Sequence, residues 1–446
     1  MKYLSLIGIL ALLLVPLGNG VRLSAQEDKS TVEERKGTLR FGITSEILSV
    51  LETITEEKET GYAEEAESLF DTLRDPGVHA AVFHYFRAID DDSLVERAAE
   101  VLTNHLDKPQ PLVASVIRYA AETGIEELEP RIFVIAESGL SGTLSLDAVK
   151  ALGELGDEET VTRLLELYDK SGVSEQVREQ IILVLGKLQA EQAVDLLIDI
   201  ARDQGESLTM RRFAADSLGR IGSPRAADTL EELYLQDDPY LRANAVYSLG
   251  LIGGPAAEAI LFAALRDEFW RIRVSAAEAI GEAGIKEGID ILTYKAQNDP
   301  EIQVRTAAVE ALGKIGGGKS FDFLKELAKG PGNPLSVRTP ALEALVEEDL
   351  SGSLPFLKEL FAEESAKRSS VILDPLARII SDAEGAGLAP LYEQMLASPS
   401  IPMKIYGMRG IRINKITTLR DEVEKLTGDD APASVRRYAE AVLESF

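Results

Sequence analysis

Six glycines, each directly after a leucine or isoleucine, fall at Gly153, Gly186, Gly219, Gly250, Gly281 and Gly313, in steps of 33, 33, 31, 31 and 32 residues. An arginine stands eight residues before five of them, at Arg178, Arg211, Arg242, Arg273 and Arg305. A chain that repeats at this period grows in one dimension. Each unit is too small to hide its apolar face alone and does so against the next. Length alone would divide the 446 residues into domains of about 150. The repeat overrides that expectation.

Within a unit the spacing predicts two helices. In the copy from Ile302 to Ile315, Val304, Ala307, Ala308, Ala311, Leu312 and Ile315 recur at helical steps and form one buried stripe. A first helix precedes each such segment, as in "AADTLEELYLQ" and "GIDILTYKAQ". Glycine inside a helix costs about 1 kcal/mol against alanine. Its recurrence at Gly219, Gly250, Gly281 and Gly313 therefore predicts a contact too close for a β-carbon. The glycines three residues later, Gly222, Gly253, Gly284 and Gly316, suit a left-handed helix stop. Asp237, Asp267 and Asp299 sit five or six residues before the next unit's arginine. They are expected to be helix N-caps and rungs of an aspartate–arginine ladder between units. The recurrent arginines are then structural, since catalysis gives no reason to repeat a residue in every unit.

These units resemble HEAT repeats, specifically the short variety similar to those of phycobilisome-lyase proteins. The segment "MRRFAADSLGRIGSPRAADTLEELYLQDDPYLRANAVYSLGLIG" carries the likeness. The resemblance implies an all-α fold, an α-solenoid wound as a right-handed superhelix of stacked antiparallel helix pairs. Regular repeats span 144–319, with degenerate repeats over 61–143 and 320–446. "LSVRTPALEALVE" keeps Arg338 but has Val346 at the glycine place, and "ASVRRYAEAVLESF" keeps Arg436. Such families use the repeat to bind proteins and, in some members, to carry an enzyme activity.

Residues 1–25 read as a secretory signal peptide: Lys2, the apolar "YLSLIGILALLLVPL", and a small-residue cleavage site ending at Ala25. The expected location is periplasmic or secreted, with no integral membrane segment once the signal is removed. In 26–60, residues 26–40 are read as a flexible polar start. "ITSEILSVLETITEE" follows as an N-terminal cap helix with Ile43, Ile47, Leu51 and Ile54 on one side. The chain has no cysteine, which removes disulfides and thiolate chemistry. Its net charge of −28 argues against general binding of nucleic acid, which requires clustered Lys and Arg.

Catalytic and cofactor signals are weak, and no catalytic, cofactor or metal residue is assigned. His79, His84 and His105 are the three histidines, and no His-Glu ligand motif accompanies them. "GKIGGGKS" has the spacing of a phosphate loop, but a repeat helix precedes it where a strand is needed. From Gln394 to Arg420 there is no acid, while Lys404, Arg409, Arg412, Lys415 and Arg420 offer a candidate basic docking patch. Second helices of such stacks usually line the concave side. The expected partner-binding positions there are Arg212, Phe213, Asp216, Arg220, Tyr240, Asn244, Tyr247, Phe269, Trp270, Ser275 and Glu278, rich in the aromatic and arginine residues favoured at interfaces. The functional expectation is an exported scaffold or adaptor that binds a protein or peptide along this face without catalysis. The alternatives are a repeat-lyase-like enzyme, or an envelope carrier of lipid or glycan.

Overall fold

The computed structural model describes residues 29–139, 142–428 and 430–446; the expected signal segment 1–25 lies outside the described residues. Among the described residues every regular element is helical. Successive units place their second helices side by side in one row. It runs from Thr44–Glu57 through Pro76–Ala88, Gln110–Glu122, Thr143–Leu155, Glu175–Lys187, Leu208–Ile221, Pro239–Ile252, Trp270–Glu282 and Ile302–Ile315, and ends at Ala433–Glu444. The first helices form a second, outer row. Leu335–Ser365 is two helices broken at Asp349 (φ −151°, ψ 66°) and serves one unit with its first half and the next with its second.

Glycine sets the spacing of the inner row. A β-carbon on Gly281 would lie 2.7 Å from Ala311 Cα, and one on Gly219 would lie 2.7 Å from Ser248 Cα. Buried Ser217 and Ser248 turn these approaches into hydrogen bonds. They donate to the carbonyls of Ile182 (2.9 Å) and Ala215 (2.8 Å) on the preceding inner helix. Outer helices meet one another less closely than inner ones. The second set of glycines ends these helices: Gly222, Gly253, Gly284 and Gly316 have φ of 75°, 75°, 62° and 67°. Buried apolar side chains run without a gap from Leu39 to Val442, because the two halves of the core interleave around residues 241–261.

Three local expectations are corrected. The polar start is not flexible where described: Lys29–Phe41 is a helix and the first helix of the first pair. Leu39 is buried, Arg40 pairs with Glu65 (2.6 Å) and Arg35 with Glu59 (2.7 Å), so its charges are matched by the helices that follow. In Thr44–Glu57, Ile47, Leu51 and Ile54 are buried, but Ile43 precedes the helix and is exposed. The ladder aspartates are not N-caps. Asp267 and Asp299 lie two residues too early, and their carboxylates accept from the N–H of Phe269 (2.9 Å) and Glu301 (3.1 Å). In the "QDDP" turn, Asp238 rather than Asp237 caps, since Pro239 begins the helix.

Candidate interaction surface on the inner helices

Helix Pro239–Ile252 starts on Asp238, whose carboxylate accepts from the N–H of Leu241 at 2.7 Å. The same carboxylate takes Arg212 of the preceding inner helix at 2.8 Å on each oxygen. Burial pushes the Asp238 carboxyl up, but the Arg212 guanidinium and the helix N–H groups outweigh it and hold it below the usual range. Arg212 is thereby fixed 5.0 Å from the centre of the Tyr240 ring. From the following inner helix, Arg271 lies 5.3 Å from the Tyr240 ring and 4.4 Å from the Trp270 ring, with Nη1 3.4 Å from the Tyr240 hydroxyl. Phe269 meets Tyr240 edge-on at 5.7 Å and Trp270 at 6.4 Å.

The result is a cluster of aromatic rings flanked by guanidinium groups near the starts of three consecutive inner helices. Tyr240 is 43% exposed. Such a surface offers apolar area at low entropy cost, with N–H donors at its edge. Sequence reasoning missed Arg271 and Asp238. Arg271 follows Trp270 directly in "FWRIRV", and an arginine beside the single tryptophan at a helix start was the available signal.

The other expected positions divide. Phe213, Tyr247 and Phe269 are half-buried and pack on the core. Asn244 donates to the Arg212 carbonyl (3.4 Å), and Asp216 is taken by Arg220 of its own helix (2.8 Å). Arg220 and Tyr247 share a cleft of about 530 Å³ with Lys187 and Gln189. Ser275 is half-buried. Glu278 lies toward a separate acidic stretch. Burial first, then the charge of Glu310, pushes its carboxyl up; burial does the same to Glu310. Glu310 and Lys314 line a cleft of about 310 Å³ with Glu343, Glu347 and Glu348.

The ladder arginines have different partners. Arg273 meets Asp299 (2.7 Å), and Arg242 meets Asp267. Arg211 reaches Gln236 (2.8 Å) and the Ala201 carbonyl (3.0 Å), where the turn offers an amide. The Nε atoms of Arg178 and Arg305 are buried without an acceptor. Asp237 is exposed and outside the ladder. The basic stretch does not present one patch. Lys404 turns to the Leu396 carbonyl of the outer row (2.7 Å), and Arg409 pairs with Asp382 (2.6 Å). Arg412 lies over Tyr438, Arg420 beside Glu424 and Phe446, and Lys415 is exposed. In "GKIGGGKS" the Lys319 amine pairs with Asp290 across two outer helices.

A continuous stack of helix pairs, with Tyr240 exposed and Phe269 and Trp270 half-buried on the inner row, defines a helical-repeat solenoid protein. The family described as Spirochaete HEAT repeat protein matches residues 39–442, and the chain belongs to it. No curated protein matches the chain. Among solved structures, the chain is similar to E. coli YibA, with 20% identity over 62% of this chain and 98% of that one, and a TM-score of 0.38. Human deoxyhypusine hydroxylase in complex with glycerol is 17% identical over 57% of this chain and 96% of its own, with a TM-score of 0.25. Importin beta is 12% identical over 93% of this chain and 72% of its own, with a TM-score of 0.40.

Proposed function

We propose that this protein is a scaffold or adaptor of the cell envelope that binds a protein or peptide partner along its inner face, without catalysis of its own. One observation carries the reading: Tyr240, 43% exposed, stands between two guanidinium groups and beside Phe269 and Trp270. Binding energy at interfaces concentrates in such aromatic and arginine groups. Arg212 is neutralised by Asp238, whereas among the described residues Arg271 has no acid partner and keeps N–H groups for a partner's carbonyl or carboxylate. Export rests on the signal-like residues 1–25. Mass spectrometry of envelope protein should then find an N-terminus at Gln26.

A photoreactive residue at Ser275, on the same face, is expected to crosslink a protein partner in native envelopes. The adduct should vanish with Tyr240→Ala and Arg271→Ala, and should not form from Tyr294 on the outer row. A small molecule co-purifying in place of any protein adduct would sink the scaffold reading. It would favour the second one, a repeat-lyase-like enzyme. That reading has its own support in the raised carboxyls of Glu278 and Glu310 beside Lys314, since perturbed groups gather at catalytic sites.

A further inference from the structure

Nearer the N-terminal end, the inner row carries a feature of opposite charge. Between Pro76–Ala88 and Gln110–Glu122 lies a cleft of about 450 Å³, floored by Ala80 and Ala81 and walled by His84, Arg87, Ser115 and Arg118. Small side chains at 80, 81 and 115 leave the space open. Among the described residues no carboxylate lines it. Glu122 accepts from Arg87 at 3.1 Å but is itself 58% exposed, so it neutralises that guanidinium only partly. Arg118 is exposed on the opposite wall. Burial, then Arg87 and Arg118, hold the His84 imidazole below its ordinary value, with Glu122 opposing. An imidazole so held is able to take up a proton when negative charge enters.

A chain of net charge −28 repels anions at long range, so a cleft with two guanidiniums and an imidazole has to act by direct contact. The planar guanidinium fork matches phosphate oxygens two at a time. Among the described residues Arg118 has no acid partner and Arg87 shares its charge with the exposed Glu122, so with a protonatable imidazole the cleft offers the positive charge that a dianion requires. We propose that this cleft is a binding site for a phosphate-monoester dianion, carried by a soluble small molecule or by a lipid headgroup. The site is separate from the Tyr240 cluster, and its test does not depend on a peptide binding there.

The chain has three histidines, so the full-length protein labelled with ¹³C-histidine gives one signal each for His79, His84 and His105. His84→Ala identifies the signal of interest. Inorganic phosphate and glycerol phosphate, titrated at fixed ionic strength, are expected to shift the His84 signal saturably and raise its pKa while the other two stay still. Arg118→Ala should weaken this binding about tenfold, the scale of one charged hydrogen bond. Unmoved His79 and His105 signals report that this variant is folded. Glu122→Gln, which frees Arg87, should tighten binding. Vesicles containing phosphatidic acid distinguish the sources: retention on them with little affinity for glycerol phosphate assigns the lipid headgroup, and the converse assigns the soluble ester. An unmoved His84 signal, an equal response to chloride, tighter binding of malonate, or unchanged affinity in Arg118→Ala would overturn the proposal.

Discussion

Asp299 has four donors within reach: Arg273 Nε at 2.9 Å and Nη2 at 2.7 Å, Lys295 Nζ at 3.0 Å, and the Glu301 N–H at 3.1 Å. Its carboxylate and the guanidinium are both nearly sealed from water. Removing one partner of such a pair strands the other, at a cost of about 3–5 kcal/mol. Asp299→Ala should lower the thermal midpoint sharply, whereas Asp237→Ala, at an exposed position, should leave it nearly unchanged; equal effects would refute the ladder. Burial pushes the Asp299 carboxyl up, but Arg273 and Lys295 hold it below the ordinary value. The unfolded chain therefore takes the proton more readily. This contribution is complete above the unfolded value of about pH 4 and is lost as pH falls through the lower folded value. Below about pH 4 the thermal midpoint of Asp299→Ala should accordingly change less with pH than that of the unaltered chain. At this scale the sequence showed which arginines recur. It did not show which rungs close, because a rung depends on where the next unit's turn places its acceptor: Asp299 for Arg273, but only the Gln236 amide for Arg211.

Among elements, the inner helices are held at a distance that one methyl group would break. Gly281→Ala gains helix propensity of about 1 kcal/mol but drives a β-carbon toward Ala311 Cα. Overpacking of that kind costs about 1–3 kcal/mol or more, so the net change is destabilising. Gly318 lies in the outer helix Gly317–Lys329 with open space around its would-be β-carbon. Gly318→Ala should raise the melting midpoint while Gly281→Ala lowers it; two shifts of the same sign would show that propensity, not helix approach, governs these positions. Helix pairing and the glycine stops were legible because they follow from local periodicity. The helix Lys29–Phe41 was not. Its charges look disordered in isolation and are matched by Glu57, Glu59 and Glu65, about two dozen residues onward.

For the whole molecule, stability is a sum of units and their interfaces. The closed rungs Arg242–Asp267 and Arg273–Asp299 lie together in the central units. Beyond them Arg305 Nε and Arg338 Nη2 are buried without acceptors, and the helix at Leu335–Ser365 is broken at Asp349. Amide exchange should therefore be slowest over 239–299 and faster over 302–365. Uniform protection across both would mean that the stack opens as one cooperative body. The candidate surface was partly legible at this scale: Tyr240 and Trp270 stand out by residue type and helical face, while Arg271 and the His84–Arg87–Arg118 cleft do not. By itself the sequence determined the repeat, the two-helix unit, the buried stripe and the glycine contacts, all of which are set by spacing within about thirty residues. Only the tertiary structure decided which rungs close, how the N-terminal helix is held, and which charges meet across neighbouring inner helices. Those depend on the relative placement of side chains a full unit apart, which local periodicity does not specify.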